Sequence, residues 1–329
     1  VVRYADFGAF LDPSAPSFDE LTGYHVYRSS SIILGNWMEI TGVLSTATLT
    51  WTTVDVATEP YYMVRAENND SAAAVSGRSL IRSAATLDGF VMAADDQSYF
   101  RIPAEHIAPL VGTAADPTNV YAIVASSNPQ DLGGRVYKSI ELKAMKGGAT
   151  PDTSFSLSGM GTLHLHYAVH ASSELVVSSF NTAADAANAS VYWWNGVKWL
   201  QLYGKVSALT QSMFLETKYF GKYQIRSVER TAGFSFNLSG LSNKFVTPNG
   251  DGKNDTVVFT FANPTDAQVR GRILDIRGRV VTSDLQAGPV QNSLQWDGTA
   301  SGRSVPGGVY IYQLEGQGQR FTGTIVILK

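Results

Sequence analysis

Apolar and polar residues alternate with a period of two in most of this chain's patterned segments. Tyr24-His25-Val26-Tyr27-Arg28 and Tyr61-Tyr62-Met63-Val64-Arg65-Ala66-Glu67-Asn68 both alternate, which puts successive side chains on opposite faces of a half-buried strand. Residues 87–91, 119–124 and 136–142 predict further strands. Residues 191–202 predict a hairpin, because Asn195-Gly196 between two alternating arms supplies the positive φ of a two-residue turn. A helix is admissible only at 104–110 and 182–187, and both stretches are too short to stand alone. The expected fold class is all-β.

Turn residues divide the pattern further. Thr247-Pro248-Asn249-Gly250-Asp251-Gly252-Lys253-Asn254-Asp255, Trp296-Asp297-Gly298 and Val305-Pro306-Gly307-Gly308 separate alternating runs, as expected for a small antiparallel sandwich. A length of 329 residues suits three domains of about one hundred residues each. The predicted architecture is three tandem antiparallel β-sandwiches at 1–83, 84–232 and 233–329. The linkers near Arg82 and Arg230 are short, which predicts a stiff rod rather than jointed beads.

Each predicted module resembles a known family. Residues 245–329, with the motifs just quoted and the closing run Arg320-Phe321-Thr322-Gly323-Thr324-Ile325-Val326-Ile327-Leu328-Lys329, resemble an immunoglobulin-like module. That module occurs in the flagellar hook-capping protein and at the C-terminus of large secreted bacterial proteins of the gliding-motality and type IX secretion group. Residues 1–83, with Gly23-Tyr24-His25-Val26-Tyr27-Arg28, Trp37-Met38-Glu39-Ile40 and Leu49-Thr50-Trp51-Thr52, resemble a fibronectin type III domain. The hairpin Trp194-Asn195-Gly196-Val197-Lys198-Trp199 and the strand Phe220-Gly221-Lys222-Tyr223-Gln224-Ile225 look like the β-sandwich that often precedes a terminal immunoglobulin-like module in bacterial surface proteins. These resemblances imply an extracellular, cell-surface bacterial protein that performs no catalysis. A complete fibronectin domain has one strand before the segment matching Val1, Val2, Arg3, Tyr4 and Ala5. That segment is therefore expected to be an open sheet edge, able to accept a strand from another chain.

Composition narrows the partners. Charged residues are 16% of the chain, below the usual ~25%. The net charge of -3 provides no field for nucleic acid or anionic lipid. There is no cysteine, so disulfides, thiolate metal sites and thiol catalysis are excluded. No apolar run approaches the ~18 residues of a membrane span, and Val1-Val2-Arg3-Tyr4 lacks the regions of a signal peptide. If the protein is secreted, Val1 is expected to be a processing boundary.

Three constellations have candidate chemistry. His164, His166 and His170 share one face of a strand, a spacing at which two imidazoles can hold zinc. The same residues are explained without metal by a strand whose other face, Leu163, Leu165, Tyr167 and Val169, is the core side, leaving the histidines wet or at an interface. Asn249, Asp251 and Asp255, with Gly250 and Gly252 between them, loosely resemble a calcium loop. Lys253 stands where another oxygen belongs and Thr260 where an EF-hand has glutamate, so a plain turn is the competing reading. Trp193, Trp194 and Trp199 can stack on sugar rings, though alternation turns one set of them inward for packing. The chain has no Gly-x-Ser-x-Gly elbow, phosphate-cradling glycine loop or His-Glu-x-x-His.

The functional expectation is a non-catalytic extracellular structural protein that self-assembles into a surface filament or appendage. The alternatives are the spacer and secretion or anchoring region of a larger adhesin or enzyme, and a carbohydrate-binding module. Copies of itself, other envelope proteins or polysaccharide are the expected partners, without nucleic acid or membrane insertion. No cofactor beyond the calcium alternative is called for.

Overall fold

A computed structural model describes residues 2–3, 21–29, 37–45, 50–51, 61–68, 74–75, 79–80, 88–93, 97–106, 121–127, 136–146, 150–152, 155–169, 179–180, 188–228 and 230–329. The protein is all-β, built of several mainly antiparallel sheets. In the N-terminal part, strand Leu21–Ser29 pairs with Tyr61–Asn68, with Val26 opposite Val64. The predicted alternation holds there, since Tyr24 and Val26 are buried while His25 and Tyr27 are half-buried. Strand pairing then continues from Ser79–Leu80 to Gly89–Met92 through Ser79 and Val91. A ten-stranded sheet thus carries through position 83 into the middle of the chain.

The middle region is two sheets face to face. One contains Tyr99–Ile102, Ser156–His166 and Ser212–Tyr219. The other contains Tyr121–Ser127, Val136–Lys146, Gly221–Ser227, Ala189–Trp194 and Trp199–Tyr203. Leu163 and Leu165 from the first meet Ile140, Leu142, Leu200 and Tyr223 from the second in one core. Each such side chain, fully buried, contributes about 1.5–3 kcal/mol.

The hairpin forms as predicted, but its turn sits one residue later. The Asn195 N–H donates to Lys198 O at 3.2 Å, so Gly196 and Val197 are the central pair. The Asn195 side-chain oxygen instead accepts from the N–H groups of Val197 and Lys198 at 3.0 and 2.9 Å. Gly196 takes the positive φ, +90°, at the first turn position, where glycine is the natural residue. Of the candidate helices, Ala104–His106 is a single 3-10 turn, and residues 107–110 and 182–187 lie outside the described residues.

The C-terminal module is a sandwich of five strands against three. Phe245–Val246, Gln319–Ile327, Gly308–Gly316, Arg270–Asp275 and Val280–Thr282 form the larger sheet. Val257–Thr260, Ser293–Trp296 and Gln286–Ala287 form the smaller one. Phe259, Trp296, Ile273, Tyr312, Leu314 and Ile325 fill the space between. The architecture is not purely antiparallel: Phe245–Val246 runs parallel to the strand Gln319–Ile327, as Ala168–Val169 does to Ser179–Phe180.

Candidate functional site

The loop at 247–255 is organised around one carboxylate. Gly250 and Gly252 adopt φ near +80°, a conformation that costs glycine little. These turns aim three N–H groups at Asp255. Its Oδ1 accepts from Asn249 at 3.0 Å and Gly250 at 2.7 Å, and its Oδ2 from Gly252 at 2.7 Å. Asp251 Oδ1 accepts from the Lys253 N–H at 2.8 Å, and Asn249 Oδ1 from the Asp251 N–H at 3.1 Å. The Asp255 carboxyl lies below its ordinary pKa, and the Gly250 N–H is the largest cause. Desolvation opposes it, while the Gly252 and Asn249 N–H groups reinforce it. The three residues proposed from sequence lie in one hydrogen-bonded loop, each accepting from backbone N–H groups of that loop. Thr247 clamps the loop's base, its N–H donating to Asn254 O and its hydroxyl to Lys253 O at 2.8 and 3.0 Å.

A second constellation, the junction between the middle and C-terminal modules, was not legible as a site. Val290, from the C-terminal module, is 1% exposed and belongs to the middle module's core. Around it the chains join like strands. Lys218 N–H donates to Pro289 O at 3.0 Å and Gln291 N–H to Glu216 O at 2.8 Å. Thr260, in strand Val257–Thr260, donates its hydroxyl to Gln201 O at 2.5 Å, and Asn195 donates its side-chain amide to Ser242 O at 3.1 Å. The close approach at Thr260 depends on Gly240, whose missing Cβ would collide with the Thr260 carbonyl oxygen. Each hydrogen bond contributes about 0.5–1.5 kcal/mol net. The sequence did not mark this junction: Gln201, at a polar, outward position of its strand, is buried there.

The histidines part company. Leu163, Leu165 and Tyr167 face the core as expected. His164, expected to be wet or at an interface, is buried against neighbouring strands of its own sheet. It stacks on Tyr99 at 4.4 Å, meets Phe214 edge-on at 4.7 Å, and its Nδ1 lies 3.0 Å from Gln97 O. The physical reason is that the sheet's second face carries aromatic neighbours at the paired positions. His166 is half-buried, and His170 lies outside the described residues. Among the described residues no group of three or more His, Cys, Asp or Glu gathers as a metal set.

The tryptophans mostly pack. Trp193 stacks on Tyr219 at 4.3 Å and donates to Phe220 O at 2.8 Å. Arg226 lies over the Trp199 ring at 4.5 Å and the Tyr192 ring at 4.9 Å, covering one face of each, while Trp194 remains exposed. Burial pushes the Tyr219 hydroxyl up to about 12 and that of Tyr223 higher still, leaving both neutral. At the N-terminus, Val2–Arg3 forms a strand paired with Thr50–Trp51. Val1, Tyr4 and Ala5 lie outside the described residues.

Residues 240–327 match the family described as CHU_C type IX secretion signal domain. No curated protein matches the chain. Among solved structures, PorZ, an essential bacterial surface component of the type IX secretion system of Porphyromonas gingivalis, is 9% identical with a TM-score of 0.23. That alignment covers 89% of this chain and 49% of PorZ, so the chain spans about half of that protein. A tetra-tandem repeat from the extending region of a large adhesion protein is 11% identical, with a TM-score of 0.20 and coverage of 94% and 92%. Extracellular domains 3–5 of Drosophila OTK are 9% identical, with a TM-score of 0.19 and coverage of 95% and 87%. TM-scores this low establish no common fold, and the functional reading rests on the family match. The chain is an extracellular, cell-surface protein bearing a type IX secretion signal in its C-terminal module.

Proposed function

We propose that this chain is the secretion and surface-anchoring end of an extracellular bacterial protein. The module at 233–329 is what the secretion system reads, and the β-modules before it form a spacer without chemistry. The observation that carries this reading is the family match over 240–327, which falls inside a module whose core is made entirely of its own residues. A signal of this kind is a folded surface rather than a linear peptide. The test is delivery of the chain to the surface of a bacterium that has the type IX machinery. Removal of 240–329 is expected to leave the protein inside the envelope, and undiminished surface delivery would refute the reading.

A self-assembling surface subunit is the second reading. It rests on the edge expected at residues 1–5; among the described residues Val2–Arg3 is paired with Thr50–Trp51 in a two-stranded sheet, so only the other edge of that sheet is left for a strand-adding neighbour. Electron microscopy of the purified chain separates the two: regular filaments support assembly, and isolated particles at every concentration dismiss it.

A further inference from the structure

The outer face of the C-terminal five-stranded sheet is zoned along its strands. Tyr310, Tyr312, Leu314, Ile325 and Ile327 are buried, so alternation turns the intervening residues outward. Register sets Phe245, Val326 and Val309 in one outward row. The next row holds Thr324, Ile311, Leu274 and Val280. Then come Thr322, Gln313 and Arg272, and at the far end Arg320, Glu315 and Arg270. An exposed antiparallel face is ordinarily polar throughout. Here Phe245, Val280 and Val309 are 45% to 56% exposed, and Ile276 and Leu328, just beyond the ends of two of the strands, are 72% and 45% exposed. Exposed apolar residues in adjacent rows of one face mark an interaction surface.

The opposite end is basic. Glu315 is shared by Arg320 at 2.6 Å and Arg272 at 3.1 Å, and Arg270 stands directly across from it. Three guanidiniums against one carboxylate leave a formal excess of two positive charges. The contacts with the middle module come from the other sheet, through Thr260, and from residues 237–242, Asp266 and 289–291. No residue of the zoned rows takes part in these contacts.

We propose that this face is the surface by which a protein of the secretion apparatus grips the signal module. The partner presents an apolar patch that seats on the Val309 and Ile311 rows, bordered by carboxylates that meet Arg270, Arg272 and Arg320. This rests on the reading of the C-terminal module as a secretion signal. Charge complementarity selects the occupant. A second copy of the same face offers only Glu315, already held by two arginines. An anionic membrane calls for a cluster of about four to eight basic residues, whereas the basic end of this face holds three, Arg270, Arg272 and Arg320, around Glu315.

The test compares surface delivery of the full chain, by protease accessibility of intact cells, in three variants beside the wild type. Val309→Thr/Ile311→Thr/Val326→Thr removes the apolar zone while keeping β-branched residues that suit a strand. It is expected to lower delivery to below about one tenth, as loss of a hot-spot cluster would. Arg270→Glu/Arg320→Glu is expected to lower it by about tenfold through repulsion of the partner's acids. Leu209→Asp, in the middle module, is expected to have no effect. Melting temperatures measured on the purified variants separate a lost docking face from a lost fold. If removal of 240–329 abolishes delivery while both face variants are delivered like wild type, this proposal is overturned and the secretion reading stands. If that removal changes nothing, the secretion reading itself fails. Purified chain that floats with phosphatidylcholine–phosphatidylglycerol vesicles, or dimerises in sedimentation, through the same residues would overturn the protein partner in favour of lipid or of a second copy.

Discussion

The cores of the middle and C-terminal modules are closed in different ways. The C-terminal core takes all its buried and half-buried members from residues 234–327. The middle core is built from residues 91–225 and then completed by Val290, a residue of the other module. Dependence therefore runs in one direction through the apolar groups, and the signal-bearing module is the self-sufficient partner. The middle module, in contrast, has one core residue supplied from its C-terminal side.

The largest effect on this comparison is expected from Val290→Asp. A carboxylate placed at this buried position has no partner and costs about 3–5 kcal/mol. The loss should appear as faster hydrogen exchange in the middle-module strands Trp199–Tyr203 and Gly221–Ser227, with the strand Gly308–Gly316 unaffected. Equal loss in both modules would show that the C-terminal core also leans on the junction.

A smaller effect is expected inside the self-sufficient module. Asp255→Ala removes the acceptor of three N–H groups and is expected to lower the melting temperature by about 5 °C, as loss of a comparable cap does. The sign of its pH dependence follows from its lowered pKa. The stabilisation is fully present above the ordinary carboxylate value of 3.8 and is lost as the pH falls through the lower folded value. Wild type and variant should therefore differ near neutral pH and converge in acid; a constant gap in thermal melts would refute this role. Added calcium is a sharper probe of the same loop, since binding would raise the wild-type melting temperature and leave Asp255→Ala unchanged.

The smallest effect is expected from Lys205→Ala, which breaks the 2.9 Å ion pair with Asp266 across the junction. Both groups are more than half exposed, so the loss should be at most about 0.5 kcal/mol, readable by denaturant titration. A larger loss would mean that the junction depends on charge as well as on Val290.

Much of this was legible from local pattern. The alternation at Tyr24 and Val26, and at Leu163 and Leu165, reports which side of each strand is buried, because the period of two is a property of the backbone. The turns at Gly250 and Gly252 were legible because positive φ strongly favours glycine. That Asn249, Asp251 and Asp255 share one loop was legible because they are close in sequence. What covers His164 was not legible, because the rings of Tyr99 and Phe214 come from other strands, brought alongside only by sheet register. The turn at Asn195 shifted by one residue because its side chain engages the following N–H groups, leaving Gly196 to open the turn.

By itself the sequence determined the β-class, the inward face of the strands at Tyr24 and Val26 and at Leu163 to Tyr167, the absence of thiol chemistry and the C-terminal module that the family match identifies. These are local properties, set by period, turn chemistry and composition. Only the tertiary structure decided that Val290 completes another module's core, that Gln201 is buried against Thr260, and that one sheet face is apolar at one end and basic at the other. Those outcomes depend on which strands lie side by side, and strand pairing brings together residues that sequence spacing does not relate.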